Sequence, residues 1–188
     1  MNDYDSIPLF ENAYISVFHR LMDNGYPYTV VKTRTGKGAT VIPMISSTET
    51  EPAQYLVISQ PRPPIGGISW EFPSGGVDFG EEVKVAAMRE LEEETDIHTT
   101  DEQVHFLGNY HSNPAALLDE VSLFIAVLPH TFNKNSVKVP EDEILDYKWL
   151  TLQELKYKAL TDQTYGLAIL GKLAKAKYEG YIIEPLTF

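Results

Sequence analysis

Short runs in which apolar residues alternate with polar ones, or cluster together, recur along most of the chain. Such runs, bounded by Gly, Pro, Asn or Asp, are typical of β-strands. The dipeptides Asn24-Gly25 and Thr35-Gly36 are turn signals between runs near the N-terminus. The runs that predict strands span residues 13–20, 28–33, 39–45, 54–60, 68–72, 104–111, 121–128 and 144–150.

Three other segments predict helices. The first spans residues 82–95 and follows the loop PSGGVDFGEE. Thr151 and Glu154 have the spacing of a capping box, which predicts the start of a short helix. A longer helix is predicted over residues 162–178, with Gly180 as its stop. Together these elements predict an α+β fold in which a central sheet is flanked by helices.

Charge and composition narrow the classes of partner. The net charge is −12, and contact with a nucleic-acid backbone needs a basic surface, so long nucleic acid is not an expected partner. Cysteine is absent, which fits a reducing, cytoplasmic compartment and excludes a thiol nucleophile. No apolar run approaches the ~20 residues of a membrane span, and the N-terminus MNDYDSIPLF lacks the pattern of a signal peptide. We therefore expect no membrane partner.

The stretch RELEEETD, residues 89–96, places carboxylates where a helix tolerates them least. The C-terminal end of a helix carries partial negative charge, so each carboxylate there costs ~0.3–1 kcal/mol. Glu90, Glu93 and Glu94 lie at i, i+3 and i+4 and share one helical face, whereas Glu92 points elsewhere. Mg²⁺ binds carboxylate oxygens together with substrate phosphates. The cluster therefore indicates a metal site, with a solvated acidic face as the alternative.

The loop before this helix fits the metal interpretation. Gly75 and Gly76 let the backbone pass close to the acidic face, because glycine has no side chain to obstruct it. Asp78 and Gly80 suit a tight turn into the helix. The other side of the helix carries residues that permit close packing on a sheet, namely Val83, Ala86, Ala87 and Leu91.

These residues resemble the signature of the Nudix hydrolases. The signature is Gly, five residues, Glu, seven residues, Arg-Glu, an aliphatic residue, any residue, Glu-Glu, any residue, Gly and an aliphatic residue. Eight of its nine defined positions match, and Asp96 stands where the signature has its second Gly. Asp tolerates the left-handed conformation expected there better than most residues. The matching residues are Gly75, Glu81, Arg89, Glu90, Leu91, Glu93, Glu94 and Ile97.

The resemblance implies a fold and a division of the chain. The implied fold is an α/β/α sandwich with a mixed central sheet, assigned here to residues 47–188. Residues 1–46 are then a small N-terminal antiparallel strand region. The implied cofactor is Mg²⁺, for which Mn²⁺ is a substitute, and the implied substrate is a small nucleotide.

The resemblance also implies roles for individual residues. Glu90 and Glu94 are the implied principal metal ligands, and Glu93 is a further ligand or holds the attacking water. The carbonyl of Ser74 is an implied backbone ligand. The residues with an implied structural role are Gly75 in the loop and the ion pair of Glu81 with Arg89, which holds the loop against the helix.

Outside the signature, several features resemble the branch of the family that hydrolyses ADP-ribose and related nucleoside diphosphate sugars. Members of that branch commonly form dimers through extra N-terminal strands, which implies a homodimer through residues 1–46. The tripeptide QPR at residues 60–62 matches a Gln-x-Arg of the branch, and Arg62 would then bind phosphate. Pro114 and Glu120 match a proline and a glutamate of the branch. The alternatives are an edge-strand arginine, an ordinary loop proline and a solvated carboxylate.

The resemblance places the general base on a loop after the signature, just before a strand. The segment PEDEILDYKWL has that context. Glu141 and Glu143 are the candidates, Glu141 is preferred, and Asp142 stays open. Each of these residues is also consistent with a solvated loop charge, and a base must come within about 3 Å of the attacking water.

Three hypotheses for function follow. The first is Mg²⁺-dependent hydrolysis of ADP-ribose or a related nucleoside diphosphate sugar to a nucleoside monophosphate and a sugar phosphate. The second is a Nudix reaction on GDP-sugars, dinucleoside polyphosphates or nucleoside triphosphates. The third is a non-catalytic ligand-sensing module, which the intact glutamates disfavour.

Overall fold

The computed structural model describes residues 6–185 of the 188-residue chain. All eight predicted strands lie within this part, and their ends are within two residues of the prediction. The strands are β1 (Ser6–Glu11), β2 (Ile15–Leu21), β3 (Pro27–Thr33), β4 (Lys37–Ile45), β5 (Gln54–Arg62), β6 (Gly67–Glu71), β7 (Ser74–Gly76), β8 (Val104–Tyr110), β9 (Glu120–Leu128) and β10 (Asp146–Thr151). The α-helices are α1 (Val83–Thr95), α2 (Leu152–Thr161) and α3 (Ala168–Tyr178).

The first three strands form a separate antiparallel sheet in the order β1-β2-β3. Gly25 takes a φ of 78° in the turn between β2 and β3, as the Asn-Gly signal predicts. Sequence patterning missed β1, because Pro8 interrupts it and a register shift follows between Pro8 and Phe10. An exposed edge strand tolerates both features.

The larger sheet has the order β10-β5-β4-β9-β8, with β6 paired to β5 and β7 paired to β4. It is mixed, because β4 runs parallel to β9 while the other pairs are antiparallel. The N-terminal region expected over residues 1–46 therefore includes one strand of this sheet. Residues 37–45 are a central strand of the large sheet, and the small sheet ends at Thr33. A strand buried by pairing on both sides cannot be separated from its sheet.

Helices cover both faces of the large sheet, which confirms the α/β/α arrangement. Because side chains alternate along a strand, neighbours such as Val41 and Ile42 enter different cores. On one face α1 contributes Ala86, Ala87 and Leu91, and these small residues let the helix approach the sheet closely. On the other face α2 and α3 contribute Leu152, Leu155, Ala159, Ile169, Leu170, Leu173 and Ala176.

Local sequence signals predict the start of α2 correctly but not the start of α3. The capping box of Thr151 and Glu154 is present at the start of α2. The single helix predicted over residues 162–178 is wrong in its first turns. Asp162 instead caps a short 3₁₀ turn by accepting from Thr164, and Gly166 adopts a φ of 55° before α3 begins. Within the described residues, no helix has the length and apolarity that a membrane span requires.

Candidate active site

The glycine loop and α1 are brought together by pairing of β7 with β4. Gly75 lies opposite Ala39 in that pair, and α1 begins seven residues after Gly76. A Cβ placed on Gly75 would lie 2.1 Å from the carboxyl carbon of Glu90. The carboxylate therefore occupies the space that any side chain at residue 75 would fill, which is the physical reason for a glycine there.

Glu94 is the most deeply buried of the acidic residues on α1, with 7% of its surface exposed. Its carboxylate accepts hydrogen bonds from the backbone N–H of Ser74 at 2.9 Å and from Nε2 of Gln60 at 2.5 Å. Burial raises the pKa of Glu94 to about 8, against the lowering effect of the Ser74 bond, and the negative charge of Glu90 adds to the rise. A group with this pKa needs a compensating positive charge to ionise at neutral pH.

Arg89 ties the loop to the helix. It donates to both oxygens of Glu81 at 2.9 and 3.1 Å and to the carbonyl of Gly76 at 3.0 Å. Its remaining nitrogen donates to Glu90 at 2.8 Å and to Glu93 at 2.9 Å. The Arg89 contact holds the pKa of Glu81 below its usual range, although burial acts in the opposite direction. The geometry is that of the expected structural ion pair.

The donor set at this helix end fits a hard divalent ion. Burial raises the pKa of Glu90 despite its contact with Arg89, so two carboxylates are held in a poorly solvated place. Within residues 6–185, no three acidic or histidine side chains already converge on one point. The reason is that Arg89 holds Glu90 and Glu93 while Glu94 faces Ser74. Glu93 has 61% of its side chain exposed, so it can reach an ion by exchanging its bond from Arg89 for a metal ligand. Carboxylate oxygens are the ligands that Mg²⁺ prefers.

Asp96 adopts the left-handed conformation expected from the signature, with a φ of 58°. Its N–H donates to the carbonyl of Glu92 at 2.8 Å and closes the last turn of α1. Lys138 lies 2.7 Å from the Asp96 carboxylate and lowers the pKa of that group. Asp96, at the position where the signature has Gly, thus keeps the left-handed backbone conformation that ends α1.

Arg62 lies near Glu94 but already has a partner. It donates two hydrogen bonds to Glu71, at 2.9 and 2.7 Å. Burial of Glu71 raises its pKa, but the bonds from Arg62 outweigh this and leave the pKa below its usual value. About 40% of the Arg62 side chain is exposed, so its outer edge is open to an anionic ligand.

The other predicted substrate residues lie farther along the fold. Glu120 is exposed at the start of β9, and its N–H donates to the carbonyl of Gly36 at 2.8 Å. Pro114 lies in the loop before β9 and lines a mainly apolar pocket together with Tyr28 and Val30 of the small sheet. Val121, the residue after Glu120, pairs with Gly38, and Gly38 also pairs with Gly76 of the glycine loop.

The candidate bases Glu141 and Glu143 are exposed on a turn before β10. The turn is closed by hydrogen bonds from the N–H groups of Glu143 and Ile144 to the carbonyl of Pro140. The buried side chain of Ile144 fixes its position, and the next residue bonds to the carbonyl of Ser59. Ser59 precedes Gln60, so the turn lies at the end of β5 that reaches Glu94.

Two contributors to the site were not identified as such from the sequence. Gln60 was noted only as part of a tripeptide, and its bond to Glu94 follows from a pairing of β5 that places the two side chains together. Lys172 of α3 lines a cleft with Ser74, Gly75 and Glu71. It lies 82 residues beyond Glu90, and nothing in its local sequence marks it.

Comparison with known proteins bears on this geometry. The family profile described as NUDIX domain matches residues 36–168. The chain is 30% identical over 124 residues to the methanol dehydrogenase activator of Bacillus methanolicus, which covers 64% of this chain and 65% of that protein. It is 47% identical over 66 residues to the ADP-sugar pyrophosphatase of Mus musculus, which covers 34% of this chain and 30% of that protein.

One further curated protein and one solved structure are similar to this chain. The ADP-ribose pyrophosphatase of Saccharomyces cerevisiae is 38% identical over 58 residues, 31% of this chain and 25% of that protein. The chain therefore spans between a quarter and about two thirds of the length of these curated relatives. The crystal structure of a Caenorhabditis elegans Ap4A hydrolase binary complex superposes with a TM-score of 0.53 at 22% identity, covering 77% of this chain and 96% of that one. This structural similarity shows that the two chains share a fold.

Proposed function

The chain belongs to the Nudix family, and from this premise we propose that it is a metal-dependent pyrophosphohydrolase of ADP-ribose or a related nucleoside diphosphate sugar. The products are a nucleoside monophosphate and a sugar phosphate. The observation that carries the proposal is the seating of the Glu90 carboxylate in the space that a side chain at Gly75 would fill. This contact holds a carboxylate, otherwise disfavoured at a helix end, beside an accessible loop.

The chemistry assigns a task to each group in the site. Glu90 and Glu94 would hold Mg²⁺ or Mn²⁺, with Glu93 and the carbonyl of Ser74 as further ligands. The ion, when bound, neutralises the phosphate oxygens and lowers the pKa of water. A base on the turn before β10, Glu141 or Glu143, takes the proton from the attacking water. The water oxygen forms a bond to phosphorus as the bridging P–O bond breaks, and the leaving phosphate carries the electron pair.

Substrate choice rests on features outside the glutamate cluster. Arg62 has a guanidinium edge near Glu94, and such an edge can fork onto phosphate oxygens. Two of the relatives compared above carry the names ADP-sugar pyrophosphatase and ADP-ribose pyrophosphatase, although their matches are partial. These observations support a nucleoside diphosphate sugar as the substrate class. Pro114 and Glu120 are proposed as further contacts on the resemblance to that branch alone.

A second copy of the chain is the proposed partner. The small sheet has large apolar side chains that are exposed in the single chain, namely Ile7, Leu9, Phe10, Tyr26 and Tyr28. Exposed apolar patches often mark protein–protein interfaces. Burial of these residues between two copies would form a homodimer. The cysteine-free composition fits a reducing compartment, so the proposal places the reaction in the cytoplasm.

The proposal is tested by a substrate panel with Mg²⁺ and with EDTA. The panel contains ADP-ribose, other ADP-sugars, GDP-sugars, dinucleoside polyphosphates and nucleoside triphosphates, and the phosphate products are identified by chromatography. We expect ADP-ribose or an ADP-sugar to have the highest kcat/KM and EDTA to abolish turnover. Turnover of triphosphates or dinucleoside polyphosphates alone overturns the substrate assignment, and no turnover of any compound favours a sensing module.

A further inference from the structure

A groove leads away from the glycine loop between β8 and α3. Its first section, about 310 Å³, has walls that include Thr40, Glu71, Ser74 and Gly75. Its second section, about 330 Å³, continues along α3 as far as Lys175. Because both sections share Tyr110, Ser112, Ala168 and Lys172, they form one continuous groove that starts at the glycine loop.

Lys172 is the cation at the junction of the two sections. Its Nζ lies 5.4 Å from the centre of the Tyr110 ring. Within residues 6–185 this ammonium makes no ion pair, and its charge contributes to the lowered pKa of Glu71. An ammonium without a paired carboxylate, in a chain of net charge −12, is open to an anionic ligand.

The floor of the groove near Lys172 is polar and fixed. The hydroxyl groups of Thr40 and Tyr110 lie 3.0 Å apart and hydrogen-bond to each other. Ser112 is held by Asp119, which accepts from its N–H and from its hydroxyl. The wall therefore offers hydroxyl groups and the carboxylate of Glu71 close to one cation, a combination that suits a ligand with both a phosphate and sugar hydroxyls.

Lys175 lines the same groove but has a different environment. Its Nζ lies 2.5 Å from a carboxylate oxygen of Glu179, one turn further along α3, and 5.3 Å from the centre of the Tyr178 ring. Its stem packs against Gly108, where a Cβ would come within 3.1 Å of it. Lys175 is therefore already neutralised and held, which makes it a matched control for Lys172.

We propose that this groove binds the sugar-phosphate half of the substrate and that Lys172 binds its phosphate. The inference rests on the proposed function for the identity of the sugar phosphate. The groove begins at Ser74 and Gly75, the same backbone that contacts the carboxylates of Glu94 and Glu90. A phosphate beside Lys172 would then share a groove with Ser74, whose carbonyl is a proposed metal ligand, and the attached sugar would lie along Tyr110 and Ser112.

Direct binding tests the proposal without turnover. Calorimetry with ribose 5-phosphate and, separately, with AMP is performed on the Mg²⁺-loaded protein and on Lys172→Met, Lys172→Arg and Lys175→Met. Loss of a charged hydrogen bond predicts that Lys172→Met weakens ribose 5-phosphate by about ten-fold or more and leaves AMP within about two-fold. We expect Lys172→Arg to retain the affinity within about three-fold and Lys175→Met within about two-fold. Melting temperatures confirm that each variant is folded.

Three outcomes overturn the proposal. They are a wild-type protein that does not bind ribose 5-phosphate, a Lys172→Met variant with unchanged affinity for it, and a Lys172→Met variant that loses AMP rather than the sugar phosphate. The last outcome would place the nucleotide half in the groove. Lack of ADP-ribose turnover by the wild-type protein would reject the proposed function, whereas the binding comparison would still decide the role of Lys172.

Kinetics adds a second readout where ADP-ribose is turned over. A phosphate contact made equally in the ground state and the transition state changes KM and leaves kcat unchanged. We therefore expect Lys172→Met to raise KM for ADP-ribose about ten-fold with kcat within about three-fold of wild type. A fall in kcat at constant KM contradicts a binding role for Lys172.

Discussion

The carboxyl carbon of Glu90 lies 2.1 Å from the position that a Cβ on Gly75 would take, which is too close for both atoms to be present. The contact joins a loop strand to a helix, although the two residues are 15 positions apart in the chain. The surroundings of the neighbouring Gly76 differ from those of Gly75, because a Cβ on Gly76 would meet no atom within 4 Å. The two neighbouring glycines therefore allow the contact to be tested against an internal control.

We expect Gly75→Ala to lower kcat/KM by about 100-fold, because a displacement of the Glu90 carboxylate by about 1 Å misplaces the ion it holds. The melting temperature should change little, since the end of a glutamate side chain can move aside. Gly76→Ala should retain near wild-type activity. Steady-state kinetics and thermal unfolding of both variants measure this, and equal activity of the two variants would show that the close contact has no functional role.

Arg89 should stabilise the folded protein as well as hold the glycine loop against α1. It donates to Glu81, Glu90 and Glu93, so Arg89→Met leaves neighbouring carboxylates without a donor. We expect the free energy of unfolding in EDTA to fall by about 1–3 kcal/mol. Lys84→Met removes a pair of similar length, 2.7 Å, whose carboxylate partner Asp101 is 78% exposed, and should cost no more than about 0.5 kcal/mol. Urea unfolding checks both values, and equal losses would contradict the special position of Arg89.

Patterns local in the chain were sufficient for much of this fold and site. Alternation identified β4 as a strand but not as a member of the large sheet, because its parallel partner β9 lies 75 residues or more away. The signature spacing identified Glu81, Arg89 and Glu90, since all three lie on one turn-and-helix unit. The bond of Gln60 to Glu94 and the position of Lys172 depend on strand pairing and helix docking, which no local pattern encodes.

The stability of the metal-free protein should depend on the ionisation of Glu94. Its pKa rises from an ordinary value of 4.5 to about 8 on folding, because burial disfavours the charged form. Between these two values the folded state binds more protons than the unfolded state, so this group makes stability fall as pH rises. Above about pH 8 the destabilisation is complete, and below the ordinary pKa it is absent.

We therefore expect the melting temperature in EDTA to fall between about pH 5 and pH 8, and Glu94→Gln to flatten that fall. Glu92→Gln is the control, because Glu92 is exposed and its replacement leaves the buried carboxylate in place. The same Glu94→Gln variant should lose at least about 100-fold in turnover with Mg²⁺, since a ligand is lost. A variant that keeps the wild-type pH slope would contradict the raised pKa, and one that keeps activity would remove Glu94 from the ligand set.

The small sheet should mediate self-association. Leu9 and Phe10 of β1 are each about half exposed in the single chain, at 50% and 52%. Light scattering should give the wild-type protein twice the mass of one chain, and a double change of these residues to Lys should give the mass of one. Tyr178→Lys, on the exposed side of α3, should leave the mass unchanged. A wild-type protein with the mass of one chain rejects the dimer.

The base is expected on the turn before β10. Replacement of a general base by an amide removes proton transfer and typically lowers turnover by about 10²–10⁴-fold. We expect Glu141→Gln to fall in that range, Glu143→Gln to lose less than Glu141→Gln, and Asp142→Asn to stay near wild type. All three side chains are exposed, so the substitutions should not alter stability. Binding of Mg²⁺, measured by calorimetry, should be unchanged, because the turn carries none of the proposed ligands. A loss below ten-fold for both glutamate variants would place the base elsewhere.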